Sequence, residues 1–273
     1  MRAVTIGRTV LALAATVGLT LTGSPIAEAH GDNDGWGWGR SFTCTGGEIA
    51  SGTYSNITVT GNCSIAKDAV VTVRGDITIR KGAALDAQSS PSTLTVNGDV
   101  KAAKGSTLGL GCQPPAVTGN SAHPCVDANG DPINDPSVFS TIKVRGGITA
   151  LGADVVLING VQVGRSVTIV GGGDPAIPWS VKNNTIKGNL WVSNLDTNWF
   201  GALFNKVGGN VMLLDITLVE DHPGAAGVVY VVQNTIGRNL WCKGLPGVSG
   251  GFVPGAVNTV GGKALGQCSE LAG

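Results

Sequence analysis

The sequence predicts an all-β fold, a right-handed parallel β-helix with coils of about 21–24 residues and one long disulfide-tied loop insertion. Three observations predict it: a repeated ten-residue unit, strict alternation of apolar and polar residues after its glycine, and a column of asparagines before it. The clearest unit, Gln233–Cys242, reads QNTIGRNLWC. It recurs as NNTIKGNLWV (183–192), FNKVGGNVML (204–213) and VNTVGGKALG (257–266). Degenerate copies lie upstream: NITVTGNCSI (56–65), VVTVRGDITI (70–79), TLTVNGDVKA (93–102), TIKVRGGITA (141–150) and GVQVGRSVTI (160–169).

Position zero is the β-branched residue before the glycine: Val59, Val73, Val96, Val144, Val163, Ile186, Val207, Ile236 and Val260. Glycine usually stands at +2, and Asn, Asp or Ser at +3 (Asn62, Asp76, Asp99, Ser166, Asn189, Asn210, Asn239). Glycine supplies positive φ and Asn or Asp tolerates it, so each copy reads as strand, sharp corner, strand. After the corner, +4 and +6 are apolar and +5 is polar in the first five copies, which places +4 and +6 inward and +5 outward. The 14-residue step from Val59 to Val73 is too short for a coil, so those two copies read as two faces of one. Asn184, Asn205, Asn234 and Asn258 all fall at −2, where stacked amides can chain from rung to rung.

In chain order, Met1–Ala29 reads as a secretory signal, with Arg2 and Arg8 before an apolar run and Ala27-Glu28-Ala29 as the cleavage motif. Residues 30–42 form a Gly/Trp-rich tail without periodicity, and 43–273 form a single β-helix domain interrupted by an insertion at 106–140. Six cysteines in an exported chain imply three disulfides. Their places in the repeat pair Cys44 with Cys63 and Cys242 with Cys268, stapling the solenoid ends, and Cys112 with Cys125 across the insertion. Lys+Arg 18 balances Asp+Glu 18. That balance argues against an acidic polymer, nucleic acid or a membrane surface as partner.

Four sets of residues are candidates for chemistry. Asp76 and Asp99 share +3 one coil apart, which would stack two carboxylates at ~5 Å, near the spacing of a retaining glycosidase; the alternative is a corner role. Asp127, Asn129, Asp131 and Asp135 in the insertion have the alternating oxygen ligands of a calcium loop, or of a plain polar turn. His30 followed by Gly31 resembles the start of lytic polysaccharide monooxygenases, which implies a copper brace with His123 or His222 as the second ligand. In the later copies the outward +5 position turns apolar: Trp191, Met212, Trp241 and Leu265. Trp191 and Trp241 then stand two rungs apart, roughly 9–10 Å, with Met212 between them. That stripe suits stacking on a β-linked polysaccharide, cover by the chain's own long coil, or self-association. The exposed strands at the solenoid ends are a second route to self-association.

The V-x-G-[ND]-Φ-x-Φ rungs, led by KDAVVTVRGDITIRKGAALDAQ (67–88), resemble uncharacterised secreted β-helix proteins of actinobacteria. They are loosely similar to bactofilin-type polymerising β-helices. The resemblance spans about residues 45–268 and implies architecture alone. The expected role is therefore an exported structural or surface-associated solenoid without catalysis. A carbohydrate-binding module using the Trp stripe and a polysaccharide-degrading enzyme using Asp76 and Asp99 are the alternatives. No cofactor is required, and the location is extracellular or cell-surface.

Overall fold

A computed structural model describes residues 40–219, 227–251 and 257–273. The signal segment, the tail through Gly39, and His222 lie outside the described residues. The chain winds through three parallel sheets of 10, 9 and 9 strands, named A, B and C in the order each coil visits them. Every strand between the first and last coils pairs with its counterpart one coil earlier and one coil later, so each coil is a rung of three strands and three corners.

The register confirms the repeat from the second coil onward. Val73, Val96, Val144, Val163, Ile186, Val207, Ile236 and Val260 stack in one column of sheet C. Val59 does not belong to that column; it pairs with Ile79 in sheet A, and Tyr54 pairs with Val73. The short step from Val59 to Val73 is thus two faces of one coil. Ser64, read as the first outward +5 residue, lies in sheet B, and Thr58 occupies that column instead. Coil length is also looser than the repeat suggested: Cys44 pairs with Val59, only 15 residues on.

Alternation builds the core. Ile77 and Ile79, Val100, Ile148 and Ala150, Val167 and Ile169 are at 0% exposure, and each pair brackets an outward residue. The excursion from the coil begins later than expected. Thr107–Leu110 continue sheet B between Ala84–Ala87 and Val155–Ile158, so the loop spans 111–140 rather than 106–140. Its four-residue helix, Pro115–Thr118, starts on proline and ends at Gly119 with φ 69°. Disulfides join Cys44–Cys63, Cys112–Cys125 and Cys242–Cys268. Among the described residues no helix is long and apolar enough to cross a membrane.

Candidate functional site

Two hydrogen-bond ladders consume most polar side chains of the repeat. The inner one is the −2 asparagine column, at most 1% exposed. The Nδ2 of Asn184 donates to the Oδ1 of Asn205 at 3.0 Å, Asn205 to Asn234 at 3.0 Å and Asn234 to Asn258 at 2.9 Å. Each Nδ2 also reaches a backbone carbonyl of an adjacent strand (Ile158, Val181, Ala202, Val231). Each Oδ1 accepts the backbone N–H of the preceding rung as well, so the buried amides are fully partnered. The residue before each of the first three has positive φ (Asn183 58°, Phe204 56°, Gln233 49°), which turns the chain so that the amide points into the solenoid.

The outer ladder explains the +2 glycines differently from the sequence. None of Gly75, Gly98, Gly146, Gly188, Gly209 or Gly262 has positive φ. The +3 side chains do not take it either. Instead, each +3 oxygen accepts the N–H of the next rung's corner: Asp76 from Asp99 at 2.8 Å, Asp99 from Gly147 at 2.9 Å, Asn189 from Asn210 at 2.7 Å, Asn210 from Asn239 at 3.1 Å. Where the next rung's +2 residue is glycine, that oxygen lies where a Cβ would sit, 2.2 Å away at both Gly98 and Gly209; the rung of Ile236 carries Arg238 there and moves its glycine to Gly237. Glycine is required for close approach, not for conformational freedom.

Asp76 and Asp99 are therefore corner acceptors. Lys101 neutralises both, with Nζ 2.6 Å from Asp76 and 3.9 Å from Asp99. The lysine's hydrogen bond, helped by the Asp99 N–H, holds the Asp76 carboxyl below the usual carboxylate range. A glycosidase acid needs the opposite shift. In the insertion, Asp127 accepts the N–H groups of Asn129 and Asp131, and Asp135 accepts from Ser137. These bonds depress both carboxyls and tie them to local turns. Among the described residues no group of three or more His, Cys, Asp or Glu side chains converges as a metal site. His30, the proposed copper terminus, lies outside them.

The +5 column runs Thr58, Thr78, Lys101, Thr149, Thr168, Trp191, Met212, Trp241, Leu265 in sheet A. Trp191 and Trp241 are 41% and 40% exposed. The Trp191 Nε1–H donates to Ser193 Oγ, the next outward residue of its own strand, at 3.0 Å. Its polar edge is satisfied along the strand, and the exposed remainder of the ring is apolar. A second column, Leu151, Val170, Ser193, Leu214 and Lys243, runs beside the stripe, with Leu151 exposed, Val170 and Leu214 half-buried and Ser193 buried.

Sequence reasoning missed how the insertion is held. Lys182 Nζ donates to Ala122 O at 2.9 Å, and the Asn120 and Asn183 side chains bond each other at 2.9 Å. Burial lowers the Lys182 ammonium to about 8. Burial, with Lys182 adding repulsion, lowers His123 to about 4. His123 is thus a neutral histidine within the insertion, near Lys182. The signal for this pair is tertiary: 59 residues separate its members, and neither sits in a motif. Compared with protein-family models, curated proteins and solved structures, the chain finds no match.

Proposed function

We propose that this chain is an exported, non-catalytic β-solenoid that acts as a surface-associated scaffold, holding a β-linked polysaccharide on the outward face of sheet A. The observation that carries the reading is the Trp191–Met212–Trp241 column on three successive rungs, with both tryptophans exposed and Met212 half-buried between them. Two indoles two rungs apart, roughly 9–10 Å, offer stacking surfaces for alternate rings of an extended glycan. Three disulfides support an oxidising extracellular setting. The commitment of Asp76 and Asp99 to corner bonds supports a scaffold over an enzyme.

The test is retention on a panel of insoluble and soluble glycans, with reducing-end release measured in parallel. Trp191→Ala with Trp241→Ala is expected to abolish retention while the melting temperature stays within a few degrees, because both rings are exposed. Loss of roughly 3–5 kcal/mol per site instead would assign the tryptophans to a buried role. Turnover abolished by Asp99→Asn without unfolding would replace the scaffold with an enzyme.

A further inference from the structure

This inference rests on the polysaccharide reading above and names the class of glycan. The balanced total of Lys+Arg 18 and Asp+Glu 18 hides a segregation that appears only when the rungs are stacked. From the rung of Val144 to that of Val260, each coil places a cation at or beside the corner where sheet C passes into sheet A. These are Arg145, Arg165, Lys187, Lys206, Arg238 and Lys263, all exposed. They stand on six successive rungs, so the ridge extends about 24 Å along the axis. Among the described residues none of the six has a carboxylate partner. Of the described acids of these coils, Asp154 and Asp174 lie between sheets A and B, Asp196 lies near the end of its sheet A strand, Asp215 lies within the strand Val211–Leu218, and Glu270 lies in the C-terminal turn. Leu190 and Asp196 are six positions apart in one sheet A strand, about 20 Å at ~3.3 Å per residue and beyond the ~8 Å screening length at physiological salt.

Beyond Asp99, which reaches the first ridge rung at Gly147, the corner ladder adds no negative charge to the ridge. In the early rungs its acceptors are Asn56, Asp76 and Asp99. In the later rungs the same bond, to the same backbone position, is accepted by Asn189, Asn210 and Asn239. Asn supplies the identical oxygen without the charge. The last aspartate, Asp99, stands three rungs before Trp191, with Gly147 and Ser166 at +3 between them. The ridge flanks the Trp column: Lys187 precedes Trp191 by four residues and Arg238 precedes Trp241 by three.

We propose that the ligand of this face is a linear acidic polysaccharide, its rings on Trp191 and Trp241 and its carboxylates along the adjoining cations. A polymer lying along the solenoid axis meets a ring platform and a row of cations in parallel. Neutral glycans use the platform alone.

The test compares the full mature chain on polygalacturonate and alginate with its binding to methyl-esterified polygalacturonate, which keeps the backbone and removes the charge. Tight binding to an acidic glycan, lost on esterification and weakened by salt near 0.5 M, is expected. A variant carrying Arg165→Gln, Lys187→Gln, Arg238→Gln and Lys263→Gln should bind about tenfold more weakly with an unchanged melting temperature. Equal binding to acidic and esterified forms, unaffected by the four substitutions, overturns the acidic assignment and leaves the polysaccharide reading standing. Binding to no glycan, acidic or neutral, overturns both. Duplex DNA bound as tightly as the acidic glycans, with the Trp variants unaffected, overturns it in favour of unspecific polyanion attraction.

Discussion

The early and late coils solve the same two packing problems with different residues. At −2 the early rungs stack Val71, Leu94, Ile142 and Val161, all at most 2% exposed, and the late rungs stack four asparagines at most 1% exposed. At +3 the early rungs use aspartate tied to Lys101, and the late rungs use asparagine. Outward on sheet A, threonine gives way to tryptophan. The comparison teaches that backbone pairing sets the coil, and side chains at equivalent positions are free to change polarity provided each rung offers its neighbour the same kind of partner. An apolar column needs an apolar column beside it. An amide column needs amides, because one unmatched buried amide costs more than the bond it makes.

The largest effect should therefore come from breaking the late column. Asn205→Ala removes side-chain bonds to Asn184, Asn234 and Val181, and strands buried groups on both neighbours. A loss of about 3–5 kcal/mol in urea melts is expected. Leu94→Ala in the early column should cost a comparable 2–5 kcal/mol by leaving a cavity. Replacing both Asn205 and Asn234 by leucine should cost less than the sum of the single changes, since it restores like against like.

Next comes acid. His123 is neutral in the fold with its ionisation lowered from 6.5 to about 4. The folded state resists protonation, so stability is intact above pH 6.5 and is lost as pH falls toward 4, by at most about 3 kcal/mol. Lys182, lowered from 10.5 to about 8, has the same sign in alkali: stability rises as pH climbs from 8 to 10.5. Stability measured against pH for His123→Gln should lose the acid slope alone. An unchanged slope would place its origin elsewhere.

Smallest in stability is a reciprocal swap at the corner. Asp99→Asn and Asn210→Asp keep the accepting oxygen and should each shift stability by less than about 1 kcal/mol, measured by thermal melts. The two differ in binding: Asn210→Asp sets a carboxylate beside the cationic ridge and should weaken acidic-glycan retention, and Asp99→Asn should not. Equal effects on retention would erase the functional distinction between early and late coils.

What the sequence by itself determined is what repeats within one coil. Alternation of Ile77, Thr78 and Ile79 and the asparagines at −2 are local patterns, and stacking identical coils forces identical residues into columns. The column Trp191, Met212, Trp241 was legible for the same reason. The first coil was misread because its corner is one residue shorter and Tyr54 stands where the repeat expects a β-branched residue. The tertiary structure alone decided three things. The +2 glycine exists to admit an oxygen from the rung before, a contact between residues 22 apart at Asp76 and Gly98. Lys182 and His123 meet because the insertion folds back over later coils. In the coils from Val144 onward, cations line the corner between sheets C and A although the totals of the whole chain cancel. Each is a relation between coils, and a linear sequence holds the members of such a relation but not the winding that brings them together.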